Sequence, residues 1–401
     1  MATIKWLGGA TAVAQVSTVT LNNDFNDSET DLSITLTAED GSTTQSVSIT
    51  PSGTDESTIA SALQAACAAS NQTLFTAINF TVASNVVTLT AASAGVPFYF
   101  ESAVTGGAGT TTDATGTASA GPNDWNTAAN WSTGSVPTGT DSVVITDGSF
   151  DILYGLDQSS VSLETLSVNT GFTGTVGDPA NEYPLQINGN SANIRAVNQV
   201  WWEGDLPQWT ILGTARGTDA VRLKDTTGLG IRVLGPNVVG EVRIVDGTGT
   251  STITIANCPR AEVAVEANSE INLLRMGSGT FTTESDVQDM EMWGGIATFD
   301  GCGIFDGLDM YGGTINANGS PDATNNGGKW FGEVGGVNLY GGTVSFAGNT
   351  EPSVTIEQSI QIFGGTLDLR SGLQNITYDN NPLIYDGVVL LDAGGNFDPT
   401  P

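Results

Sequence analysis

MWGGIATFDG (Met292–Gly301), MYGGTINANG (Met310–Gly319), LYGGTVSFAG (Leu339–Gly348) and IFGGTLDLRSG (Ile362–Gly372) are four versions of one unit. Each reads apolar–aromatic–Gly–Gly, then a short alternating strand, then a turn. The Gly pairs begin at 294, 312, 341 and 364, so the spacings are 18, 29 and 23 residues. RMGSGTFTTE, from Arg275, is a degenerate earlier copy. A period near 20 residues with a variable surplus predicts a β-solenoid, one coil per repeat, with insertions pushed into loops. The surplus of the 29-residue interval falls on NGSPDATNNGGKW, residues 318–330, which has loop composition. A strand with two or three inward apolar residues cannot bury them alone, whereas stacked coils bury them continuously. Gly-Gly suits a corner that needs a positive φ and close backbone approach. An antiparallel sandwich also uses short alternating strands. The repeated unit is a strand plus a corner, not a hairpin, and that favours the solenoid.

The same texture of short strands broken by Gly and Asn extends back to about residue 122. It begins with NDWNTAANWSTGSVPTGTDSVVI (Asn123–Ile145), which sets Trp125 and Trp131 six residues apart before a Pro turn. Upstream lies something different. DLSITLTAEDGSTTQSVSIT (Asp31–Thr50) alternates on both sides of a turn and predicts a hairpin. TDESTIASALQAACAAS (Thr54–Ser70) places Ile59, Leu63 and Cys67 on one helical face, with acids at the N-terminal end of the dipole. A second hairpin turns at Ser84-Asn85, and VPFYFESAV (Val96–Val104) closes the unit. TGGAGTTTDATGTASAG (Thr105–Gly121) reads as a linker with no strand in it.

The fold expected is therefore mainly β: a β-solenoid (single-stranded β-helix) with a small α+β domain inserted near the N-terminus. Residues 1–12 supply the first strand of the solenoid cap, and 13–121 the inserted domain with its Gly/Thr-rich linker. Residues 122–401 form the solenoid, with the Asn-Trp cap at 123–145. IKWLGGA, from Ile4, would be the missing opening strand, so Trp6 should meet Trp125 and Trp131 in space.

Bulk properties narrow the chemistry. Net charge is −32, and eight of the eleven basic residues fall between Arg195 and Arg275. A phosphate backbone is bound by Lys and Arg displacing counterions, so nucleic acid is a poor partner. No apolar run approaches the length of a membrane span, and the N-terminus shows no secretory signal, so neither a membrane nor Sec export is expected. There is no His, which removes Ser-His-Asp and Cys-His catalysis and His-ligated zinc. Cys67, Cys258 and Cys302 have neither disulfide nor metal-ligand spacing and are expected to be buried thiols. No cofactor and no metal site are expected.

The cap and the coil after it, GLDQSSVSLETLSVNTGFTGTVGD (Gly155–Asp178), resemble virion proteins of tailed bacteriophages, and the inserted unit, by its SITLTAEDGSTTQSVSIT, TIASALQAAC and VVTLTAASAGVPF segments, resembles a small α+β domain of phage head and tail proteins. The cap residues carrying the match are Trp125, Asn126, Asn130, Trp131, Pro137, Asp141, Val143 and Ile145, and the resemblance spans roughly residues 4–178. It implies a non-enzymatic virion structural protein, assembled in the host cytoplasm. The form expected is a homotrimeric capsid decoration or cement protein seated on the major capsid protein of the head. Trp6, Trp125, Asn130 and Trp131 would then be structural.

Two other readings rest on particular residues. Trp201, Trp202 and Trp209 in QVWWEGDLPQW, beside Glu203 and Asp205, form a candidate assembly or glycan contact, as in a tail fibre or receptor-binding adhesin. Asp300, Asp306 and Asp309 could serve a carboxylate-based polysaccharide depolymerase. Asp-Gly is also the commonest turn dipeptide, and no catalytic residue is expected.

Overall fold

The computed structural model describes residues 3–22, 25, 29–225, 230–245, 250–266, 270–318, 329–330, 336–347, 354–356, 360–370, 376–378 and 383–390. From Ser142 onward the chain alternates between two sheets, laying one strand on each before rising to the next level, and from Lys329 the coils add a strand on a third. The first sheet has thirteen strands, starting at Thr3–Lys5 and Ser142–Gly148 and ending at Leu383–Ile384. The second has twelve, from Asp157–Leu163 to Val388–Leu390. Pairing within both is parallel throughout, for example Met276↔Met292↔Met310↔Leu339↔Ile362 in the first. Parallel stacking is what a strand-plus-corner repeat demands, and it rules out the sandwich. Alternation places Val143, Leu166, Ile231, Ile253, Leu274, Met290 and their counterparts inside, where they form one continuous core.

The corners explain the Gly pairs. Gly295, Gly313, Gly342 and Gly365 stand in a column with φ between +80° and +93°. A Cβ on any of them would lie 2.7–2.8 Å from the carbonyl oxygen of the glycine one level below. Only glycine fits both the torsion and the gap. Earlier coils turn by other means, so the repeat is legible only in the last part of a solenoid that begins at residue 142.

The insertion is a compact unit of two antiparallel sheets and a helix, with one further helical turn at Thr73–Thr76. Val16–Asn22 lies between Val86–Ala91 and Thr110–Thr117, and Glu29–Thr37 lies between Thr44–Ile49 and Tyr99–Gly106. The helix spans Glu56–Ala69; the Asp55 carboxylate caps it by accepting from Ser57 N–H, and Ile59, Ala60, Leu63 and Cys67 are buried. Thr110–Thr117, expected to be linker, is a strand. Threonine-rich sequence suits an exposed sheet edge, and its register to Val16–Asn22 comes from backbone pairing without any apolar pattern. Lys329–Trp330 likewise departs from its loop composition: it opens a third short sheet, with Trp330 buried between Phe299 and Phe346. Residues 319–328, the rest of that surplus, lie outside the described residues.

Cys67, Cys258 and Cys302 are free thiols in the interior. Burial pushes the Cys67 thiol up to about 12 and raises the other two as well.

Candidate interaction surface

At the N-terminal end the two halves of the cap meet. Thr3–Lys5 pairs with Ser142–Val144, and the Trp6 and Trp131 rings lie 4.9 Å apart, edge to face. Trp125 lies 4.6 Å from Trp131 on the other side, and Trp131 Nε1 donates to the Trp125 carbonyl at 2.8 Å. Asn130 is fully enclosed and ties the crossing segments together. Its amide nitrogen donates to the carbonyls of Gly121 and Asp124, and its Oδ1 accepts from Ala10 N–H. These four residues close the stack, which leaves no ring free for a ligand.

Trp202 and Trp209 are also core. They pack edge to face at 4.6 Å with almost no exposure, Trp202 Nε1 donating to the Ile187 carbonyl. Trp201 is nearly as buried: its Nε1 donates to the Asp219 carbonyl, and the Arg222 guanidinium sits 4.6 Å over its ring. The three rings considered as an assembly or glycan contact therefore form no exposed platform: Trp202 and Trp209 point into the core, and Trp201, on the opposite face of its strand, lies under Arg222. Trp202→Phe should destabilise by about 1 kcal/mol through the lost hydrogen bond. Trp209→Phe should cost less, because the Trp209 indole N–H has no acceptor among the described residues; urea unfolding of the two variants compares them.

The depolymerase candidates are split. Asp300 lies in an exposed turn after the second-sheet strand Ile296–Phe299, whereas Asp306 and Asp309 belong to the first-sheet strand Ile304–Met310. On that first-sheet face Asp289 has its carboxyl raised, by burial first and then by Asp306, Glu291 and Asp309. Neighbours bond part of this acidic row along the axis: Glu291 accepts from Arg275 at 3.0 Å and Asp309 from Asn338 at 2.9 Å. Among the described residues no group of three or more His, Cys, Asp or Glu is placed to hold a metal ion.

The surface that stands out is built by the aromatic residue before each Gly pair. Trp293, Tyr311, Tyr340, Phe363 and Tyr385 form a ladder on the outer corner of five successive levels. Ring centroids are 5.9, 5.0, 5.1 and 4.8 Å apart, and the planes diverge by 9° or less. The spacing is set by the backbone, since Tyr311, Tyr340, Phe363 and Tyr385 each donate N–H to the carbonyl one level below, at 2.7–2.9 Å. All five rings remain 39–64% exposed, an unusual state for five large rings in one line. Their faces are covered by one another, so it is edges that meet solvent. Ile296, Thr314, Thr343, Thr366 and Val388 run beside them on the second-sheet side of the corner. The sequence repeat showed the aromatic position, but only the in-register stacking makes it a surface. Tyr385 was hidden because Asp386 replaces the first glycine.

Fold and surface together define a parallel β-solenoid with an inserted α+β domain, carrying an exposed aromatic ladder. Comparison with family models, with curated proteins and with solved structures gives no match.

Proposed function

We propose that this chain is a non-enzymatic structural protein of a tailed-phage virion, a decoration or cement protein bound to the major capsid protein. It would act as a homotrimer in which the ladders of three solenoids face one axis. The observation that carries this reading is the strip of ring edges from Trp293 to Tyr385. Sugar recognition by aromatic residues needs a free ring face, and here successive rings cover one another's faces. An edge strip of constant spacing is better served by burial against a surface of the same period, which a second copy has by construction. Cementing then needs interface area and no reacting group: binding only the assembled shell stabilises it by RT ln(1 + [L]/Kd).

The double variant Tyr311→Ser/Tyr340→Ser should shift the molar mass measured by light scattering from trimer to monomer, with unchanged circular dichroism. A native chain that is monomeric at high concentration would remove the trimer from this reading. Quantitative gels of purified particles test the location: hundreds of copies per particle place the protein on the head, a few to a few dozen on the tail, and none defeats the virion assignment.

A second reading, a tail-fibre adhesin, is favoured by a cleft of about 640 Å³ lined by Gln186, Trp201, Glu203, Arg222 and Lys224. These are hydroxyl-binding side chains, and β-solenoids are common in tail fibres and adhesins. Glycan-array binding that Arg222→Ala abolishes would move the assignment there. A depolymerase remains the third reading, and would require activity on capsule polysaccharide that Asp306→Asn or Asp309→Asn removes.

A further inference from the structure

The inserted domain is joined to the solenoid in an unusual way. Its covalent link is a neck of two segments, bridged by Val13 and Ala120, with Gly121 packed so closely on Gly95 that an added Cβ would meet it at 2.8 Å. Away from the neck, a polar pin makes the contact. Glu39, in the turn between Glu29–Thr37 and Thr44–Ile49, points Oε1 at the solenoid, where it accepts from Gly155 N–H at 2.5 Å and Leu156 N–H at 3.2 Å. Open clefts surround the pin. One of about 500 Å³ separates Ala38 and Phe98 from Tyr154, Asp178 and Tyr183. The 640 Å³ cleft begins at Asp40 and Ser42, and a third of about 370 Å³ lies between Tyr99 and Asp124. A narrow neck, one buried carboxyl and unfilled space on several sides have the geometry of a hinge and latch, unlike a packed domain interface.

We propose that Glu39 is a proton-controlled latch: neutral, it holds the inserted domain against the solenoid, and ionised, it lets the domain swing on the Val13–Ala120 neck.

The titratable groups facing the latch are carboxyls and phenols. Its own hairpin contributes Asp40, and the neighbouring strand of the inserted domain contributes Tyr99. From the solenoid come Asp124, Asp157, Asp178, Tyr154 and Tyr183. Arg222 and Lys224 line the 640 Å³ cleft, and Lys224 is engaged by Glu203 at 3.3 Å. Burial raises the Glu39 carboxyl most, Asp124 and Asp178 raise it further, and the two N–H bonds oppose them; the result is a carboxyl pushed from 4.5 up to about 7. The docked state therefore holds the proton more tightly than a free hairpin does. Docking is at full strength below pH 4.5 and weakens as pH rises toward 7, by about two orders of magnitude in the equilibrium constant.

The test is a distance measured between spin labels at Ser61→Cys, on the exposed side of the helix, and Thr133→Cys, on the solenoid cap. Because the three native thiols are buried, labelling is selective. A single distance is expected at pH 5, with a second, broader component growing toward pH 8. Glu39→Gln keeps a carbonyl acceptor without the charge and should show the single distance at every pH. Glu39→Ala should show the second component even at pH 5. Unmodified protein gives an independent reading: after correction for intrinsic rates, protection of the Gly155 and Leu156 amides should fall at least ten-fold between pH 5 and 8. One distance from pH 5 to 9, an unchanged pH response in Glu39→Gln, or constant protection at Gly155 and Leu156 would overturn the latch.

Discussion

Trp131→Ala is expected to lower the unfolding free energy of the solenoid's N-terminal end by about 3–5 kcal/mol, the range for deleting a fully buried tryptophan. The loss has identifiable parts. The ring touches Trp6 on one side and Trp125 on the other, and its N–H holds the Trp125 carbonyl. Removing it leaves a cavity between two large side chains that cannot collapse inward, because both are anchored by backbone bonds: Trp6 N–H to Val144 and Trp125 N–H to Tyr154. Amide protection in Thr3–Lys5 and at Trp6 should vanish first, while coils beyond about residue 250 keep theirs, since each coil depends on its neighbours alone. Trp131→Phe should retain most of the packing and lose the hydrogen bond, costing about 1–2 kcal/mol. If Trp131→Ala cost less than about 1 kcal/mol, the three rings could not be what closes the stack.

The second large effect is expected at a glycine. Gly342→Ala introduces a Cβ at φ +80° and 2.7 Å from the Gly313 carbonyl oxygen, which cannot retreat because the strands on either side of it are fixed in the sheets. Torsional strain and backbone collision together should cost at least about 3 kcal/mol. At 1.4 kcal/mol per factor of ten, the Tyr340, Thr343, Phe363 and Thr366 amides, bonded across these corners, should exchange more than about a hundred-fold faster. Gly134→Ala is the control. Its φ is +68°, but nothing lies within 4 Å of the added carbon, so only the torsional cost of about 1–2 kcal/mol applies. Equal effects at the two positions would mean that close approach of successive levels is not what the column requires.

Much of this architecture could be read from the chain, for reasons that differ by region. Where coils repeat a steric necessity, as at Gly295, Gly313, Gly342 and Gly365, the necessity marks the sequence and the solenoid is visible. Where a corner is met by varied means, as between Ser142 and Met276, the period fades although the sheets continue unbroken. Trp6, Trp125 and Trp131 were recognisable because large rings at the start of a stack have few other uses. Trp201, Trp202 and Trp209 misled for a related reason: rings beside carboxylates suggest a platform, whereas strand phase turns Trp202 and Trp209 inward and Arg222 covers the outward ring of Trp201. Glu39 carried no signal at all. A glutamate in an EDGS turn is ordinary, and its surroundings are assembled by residues 60 to 140 positions away. The ladder lies between these cases, since its members were legible singly and its exposed edge only after stacking.

The pairing of Thr3–Lys5 with Ser142–Val144 also imposes an order on synthesis. The opening strand leaves the ribosome first, yet its partner is made well over a hundred residues later. Until then Ile4 and Trp6 are apolar groups without a seat. The inserted domain can fold in the interval, and in doing so brings Val13 and Ala120 together. That shortens the loop the cap must close, although a doubling of loop length costs only about 0.6 kcal/mol. The larger gain is directional: Ala10 and Gly121 emerge side by side, already within reach of Asn130. On that order the insertion would serve as a folding jig for the cap, and a chain carrying a flexible linker of equal length in its place should mature more slowly even where its final stability is unchanged.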